Sequence, residues 1–150
     1  LAEHQMSPAR LILEITESLL IQDSEETVAW LQGFKDLGIS LAIDDFGTGY
    51  SSLSYLKRFP VDTLKIDREF IRDLNNDRYA DSLVSAIISM AASLELRLIA
   101  EGVETEKQRL SLITQGCRFM QGYLFCPPLP AEELAQWLSS YRPAPCVMEP

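Results

Sequence analysis

Short apolar runs alternate along this chain with longer stretches whose apolar residues recur at helical spacing. The runs are Arg10 to Ile15, Ile39 to Ile43, Thr63 to Ile66, Arg97 to Ala100 and Phe119 to Phe125, and each reads as a strand. Between them, Val28, Leu31, Phe34 and Leu37 form one helical face behind an Asp23–Glu26 capping box, with Gly38 as the stop. Leu53, Leu56 and Phe59 form a second face that Ser51 or Ser52 can cap. Glu69 to Leu74 reads as a helical turn or loop. The longest helix is expected over about 79–94, with Leu83, Val84, Ile87, Ile88, Ala91 and Leu94 as a broad core stripe. Thr105 and Gln108 can cap a helix carrying Leu110, Leu112 and Ile113, and Pro130 starts one carrying Leu134, Trp137, Leu138 and Tyr141. The strands are apolar throughout instead of alternating, which means burial on both faces. The pattern predicts an α/β fold with five parallel strands, each followed by a helix.

Composition narrows the picture. The chain has 150 residues, 47% of them hydrophobic, which fits one globular domain. Its net charge of −9 gives no general attraction to polyanions, so binding to DNA or RNA is not expected. Cys117, Cys126 and Cys146 are widely spaced and His4 is the sole histidine, which argues against a zinc site or a histidine-based triad. Unpaired cysteines suit a reducing compartment, so a cytoplasmic location is expected. No apolar run reaches the ~20 residues of a membrane span. The Pro-rich residues 142–150 read as a frayed tail.

The candidate chemistry lies at the strand ends. Glu14, Asp44, Asp45, Lys65, Glu101 and Gln121 all fall in or just after a strand, at its C-terminal end. That edge carries the sites of open parallel sheets and of (β/α) barrels alike. The central stretch runs Ile43-Asp44-Asp45-Phe46-Gly47-Thr48-Gly49-Tyr50-Ser51-Ser52. Strand side chains alternate between faces, so Asp44 and Asp45 share a site only if the alternation breaks there. Two such carboxylates repel, and a divalent cation with a preference for hard oxygen ligands removes the conflict. Read without such an ion, the same residues are a helix cap and a solvated acid beside a turn. Glu14, Asp44, Asp45 and Glu101 would suffice for two ions clamping the attacking and leaving oxygens of a phosphodiester. Lys65, in a strand between Leu64 and Ile66, could orient a water or offset phosphate charge. Gln121 could position water or substrate. Glu17 and Glu104 follow Glu14 and Glu101 by three residues and are better placed to anchor loops.

Five ordered motifs carry a resemblance: Glu14-Ile15-Thr16-Glu17-Ser18, Asp44-Asp45-Phe46-Gly47-Thr48-Gly49, Leu64-Lys65-Ile66-Asp67, Ala100-Glu101-Gly102-Val103-Glu104-Thr105 and Gln121-Gly122-Tyr123-Leu124-Phe125. Together they resemble the signatures of the EAL domain, the bacterial cyclic di-GMP phosphodiesterase family. The resemblance implies a partial TIM-type (β/α) barrel and hydrolysis of cyclic di-GMP to linear pGpG with Mg²⁺ or Mn²⁺. By position it makes Glu14, Asp44, Asp45 and Glu101 metal ligands, Glu101 also a general base, Lys65 the lysine near the nucleophilic water, Gln121 the site glutamine and Glu17 the anchor of the loop after Asp45. The namesake Glu-Ala-Leu motif and an asparagine strand, which supply further ligands, are not in this sequence. Residues 1–141 are therefore expected to be a C-terminal portion of an EAL domain, impaired as an enzyme on its own and derived from a larger multidomain signalling protein. Cys126 and Glu69 also depart from the family pattern. The alternative is a degenerate EAL module that binds cyclic di-GMP or a protein partner without turnover. The open sheet edges of an incomplete barrel favour pairing with another chain, as in a homodimer.

Overall fold

A computed structural model describes residues 1–16, 25–47, 56 and 58–142, with the side chain of Ala2 excepted. Among them, five strands form one sheet in chain order: β1 Ile12–Thr16, β2 Ser40–Phe46, β3 Thr63–Ile66, β4 Arg97–Ala100 and β5 Phe119–Met120. Every neighbouring pair is parallel. Helix α1 (Glu25–Asp36) lies between β1 and β2, α2 (Arg68–Asp73) and α3 (Arg78–Ser93) between β3 and β4, α4 (Glu106–Thr114) between β4 and β5, and α5 (Ala131–Ser140) after β5. The Asp23 cap, the Ser51 and Ser52 caps with Leu53, and tail residues 143–150 lie outside the described residues.

Helix boundaries follow local chemistry. Gly38 takes a left-handed φ of 85° and donates its N–H to the Lys35 carbonyl, which ends α1 and turns the chain into β2. Asp67 and Asp77 cap α2 and α3 by accepting the Glu69 and Tyr79 N–H groups, and Thr105 and Gln108 form a reciprocal capping box on α4. Gln108 is 7% exposed and also donates from Nε2 to the Ile71 carbonyl at 2.8 Å, tying the start of α4 to α2.

The core lies where the sheet meets α3. Leu41, Ile43, Leu64 and Ile66 are fully buried, and Val84, Ile87, Ile88 and Ala91 of α3 join them. Burying each of the larger side chains contributes about 1.5–3 kcal/mol. Two-sided burial holds for β2 and for β3, which is buried at every position. It does not hold for β1 and β5, which end the strand order and expose Ile12 and Phe119.

The last strand is shorter than the apolar run from Phe119 to Phe125 suggested, and stops at Met120. Gly122 comes so close to the β4 loop that a Cβ there would stand 2.2 Å from the Val103 carbonyl oxygen. The chain crosses that loop, with Val103 N–H bonded to the Gln121 carbonyl and Leu124 N–H to the Val103 carbonyl. Phe125 N–H then closes a turn onto Gly122.

Candidate active site

The rim at the C-terminal ends of the strands gathers most of the residues expected there. Lys65 leaves the middle of the sheet, where it is 4% exposed. Its Nζ stands 2.7 Å from Glu14 Oε1 on β1, 3.0 Å from Asp44 Oδ1 on β2 and 2.8 Å from Glu101 Oε1 just past β4. One ammonium thus binds carboxylates from both flanks of its own strand. Burial pulls the Lys65 pKa down, but the carboxylates of Glu101, Glu14 and Asp44 around its ammonium outweigh it and hold the group above its ordinary value. With these partners in place, Lys65 carries a positive charge at neutral pH.

Register explains how side chains from separate strands meet. Glu14 is level with Ala42 and Thr16 with Asp44, while Lys65 is level with Ile99 on β4. The long stem of Lys65 lifts its ammonium toward the rim. Glu101 is held by its own N–H, which donates to the Ile66 carbonyl at 3.1 Å.

The break in alternation that the adjacent acids require is present. The β2–β3 register slips between Ile43 and Phe46, and Asp45 takes a left-handed φ of 54°. Asp45 thereby turns toward the rim but not onto Lys65. Its carboxyl shares a hydrogen bond with Asp67, and that bond, some desolvation and the charges of Asp44, Asp67 and Glu101 raise its pKa.

Asp67 is the residue that sequence reasoning passed over. Its place directly after the Lys65 strand, at the end of the Leu64-Lys65-Ile66-Asp67 motif, was visible, but no task was read for it. The pairing with Asp45 depends on the left-handed turn, which the residue string does not announce.

Gln121 reaches the same rim through its backbone, whose N–H donates to the Ala100 carbonyl at 2.8 Å. Its side chain is exposed and lines a cavity of about 600 Å³ with Phe119, Phe125, Trp137 and Tyr141, apart from the Lys65 cluster. Glu104 is exposed, and its N–H, not its carboxylate, makes the bond to Gln108 Oε1. Glu17 lies outside the described residues.

The donor set suits a hard divalent cation. Glu14, Asp44, Asp45 and Glu101 offer only oxygens, and Asp44 Oδ1, buried 3.0 Å from Lys65, has no hydrogen-bond partner of adequate geometry. Among the described residues, no three His, Cys, Asp or Glu side chains are already arranged to hold one ion. Glu14, Asp44 and Glu101 converge on the Lys65 ammonium instead.

The chain resembles known proteins in sequence and in fold. The EAL domain family model matches residues 1–128. The bifunctional diguanylate cyclase/cyclic di-GMP phosphodiesterase MucR of Pseudomonas aeruginosa is 47% identical over 134 residues, covering 89% of this chain and 20% of MucR. The chain thus spans about a fifth of the length of such relatives. The solved structure of the MucR phosphodiesterase in complex with c-di-GMP matches with a TM-score of 0.85, covering 89% of this chain and 54% of that one. The EAL domain of Mycobacterium smegmatis DcpA matches with a TM-score of 0.88 at 44% identity, covering 95% of this chain and 64% of that one. Klebsiella pneumoniae BlrP1, solved as a manganese/cy-diGMP complex, matches with a TM-score of 0.78 at 35% identity, covering 85% of this chain and 32% of that one.

Proposed function

The chain belongs to the EAL domain family, whose fold is TIM-barrel-like, and on that premise we propose that its rim is the site of metal-dependent hydrolysis of cyclic di-GMP to linear pGpG. The observation that carries this reading is the meeting of Glu14, Asp44 and Glu101 around Lys65 at one sheet edge. Asp45 stands beside them through the left-handed turn.

Each residue has a task in that reaction. Glu14, Asp44, Asp45 and Glu101 would hold Mg²⁺ or Mn²⁺, which supplies a water of lowered pKa and neutralises phosphate charge when bound. Glu101, fixed from strand β4 and its Ile66 bond, would accept the water proton. Lys65 keeps its proton and would face the negative charge that grows on the phosphate oxygens. Gln121 would position substrate or water, and Glu17 and Glu104 would anchor the loops beside the site. The relatives' lengths support a place for the chain within a larger multidomain protein; a cytoplasmic location and homodimer contacts at the open sheet edges would go with that reading.

The 150-residue polypeptide alone should turn over slowly, because Glu14, Asp44 and Glu101 are engaged by Lys65. The test is pGpG formation with Mg²⁺, Mn²⁺ or EDTA, by this polypeptide alone and after mixing with a separately made N-terminal EAL portion. Slow, EDTA-sensitive product formation that rises on mixing supports the reading. Cyclic di-GMP binding without product in either sample would instead favour a binding module.

A further inference from the structure

Lys65 has a second consequence, which rests on reading the rim as a metal site. An ammonium has three N–H donors and no acceptor. Glu14, Asp44 and Glu101 lie 2.7, 3.0 and 2.8 Å from it, so its donors face three carboxylates that would also serve a cation. The side chain is 4% exposed and its stem is packed in the fully buried strand β3, so it is not a surface lysine resting by chance near acids. Its hold is incomplete, since Asp44 Oδ1 is close to the ammonium without a well-formed bond.

We propose that Lys65 is a built-in competitor of the divalent cation: its ammonium neutralises Glu14, Asp44 and Glu101, and has to withdraw from some of them for an ion to be seated. Two effects follow. Without metal, Lys65 removes the mutual repulsion of the rim acids and supports the fold. With metal, it opposes binding, both by occupying carboxylate oxygens and by its own positive charge at short range. The rim would then load only above a threshold concentration of metal that Lys65 sets. A lysine serving solely to orient water would also repel the ion, but would not have to leave its carboxylates, so its ammonium resonance would stay in place on metal binding.

The experiment uses the full 150-residue chain and Mn²⁺ alone, without cyclic di-GMP. Mn²⁺ binding is read by electron paramagnetic resonance for wild type, Lys65→Gln and Lys65→Met, and thermal unfolding is read in EDTA. The expected result is at least about tenfold tighter Mn²⁺ binding by the variants, with a lower melting temperature in EDTA that Mn²⁺ restores. Should the variants fail to fold without metal, wild type labelled with ¹⁵N at the lysine ε position gives the answer. Titration with diamagnetic Mg²⁺ should shift the resonance of the carboxylate-bound ammonium. Equal or weaker Mn²⁺ binding by folded variants, or an unmoved resonance at saturating Mg²⁺, overturns the proposal. No Mn²⁺ binding by any of the proteins overturns it together with the metal reading of the rim. Tighter binding by the variants with no hydrolysis by wild type leaves it standing and removes only the proposal of turnover.

Discussion

Asp44 and Asp45 are consecutive, yet both serve one rim, because the backbone turns left-handed at Asp45 (φ 54°) and the β2–β3 register slips around it. In a regular strand one of the two would point to the opposite face. The slip places Asp44 3.0 Å from Lys65 and Asp45 against Asp67.

Asp45→Asn should abolish metal-dependent hydrolysis and keep the fold. Asn suits the left-handed region at least as well as Asp and has nearly the same volume. The raised pKa of Asp45, due first to its hydrogen bond with Asp67 and then to some desolvation and neighbouring charge, means that its ionised form opposes folding of the metal-free protein. Stability from this group therefore increases as pH falls into the carboxylate range and is reduced above it. At neutral pH the variant should melt no lower than wild type in EDTA, with any gain small because Asp45 is exposed. A lower melting temperature, or near-normal pGpG formation at saturating Mg²⁺, would show that the pair is not a strained acid couple at the site.

Gly102→Ala should destabilise the protein and lower activity together. Gly102 has a φ of 69°, and a Cβ there would stand 2.5 Å from Arg68 Cβ and 3.2 Å from its Cα. The close approach lets the first turn of α2 nest against the loop that carries Glu101. Strain from the left-handed backbone and overpacking together should cost about 2–4 kcal/mol in urea unfolding. Retention of full stability would mean that the two loops are not locked together.

Much of this arrangement was legible in the residue string, and the omissions have a common cause. β3 and β4 were readable because their residues are locally apolar, and the α3 stripe because its period is helical. The Lys65 cluster was readable because motif residues at strand ends share an edge in any parallel sheet. β5 was overestimated because Phe119 to Phe125 is apolar, while the contact that turns it away, Gly122 on Val103, comes from another strand. The Asp45–Asp67 pair and the salt bridge of Lys35 to Asp62 at 2.5 Å likewise depend on tertiary approach. Local pattern carries no signal for such contacts.

Cys117 should impose an alkaline limit on stability. It is 1% exposed, and burial pushes its thiol up to about 11 from the usual 9.0, against weaker opposing backbone interactions at Phe119 and Ala100. Between those values the unfolded chain loses the proton and the folded chain keeps it, so stability falls as pH rises through the window. The contribution lost is on the order of 2–3 kcal/mol by the top of the range. Cys117→Ala should be less stable than wild type at pH 7, by about 1 kcal/mol for the small cavity, but its decline from pH 9 to 10.5 should be shallower. Parallel pH profiles in urea would contradict this.

The most direct measurement is anomalous scattering from crystals grown with Mn²⁺ and cyclic di-GMP. Manganese peaks are expected at the rim, ligated by carboxylate oxygens of Glu14, Asp44, Asp45 and Glu101, with a phosphate of the ligand beside them and Lys65 moved off at least one of its present partners. Manganese bound elsewhere, or cyclic di-GMP bound with Lys65 still on all three carboxylates, would contradict this.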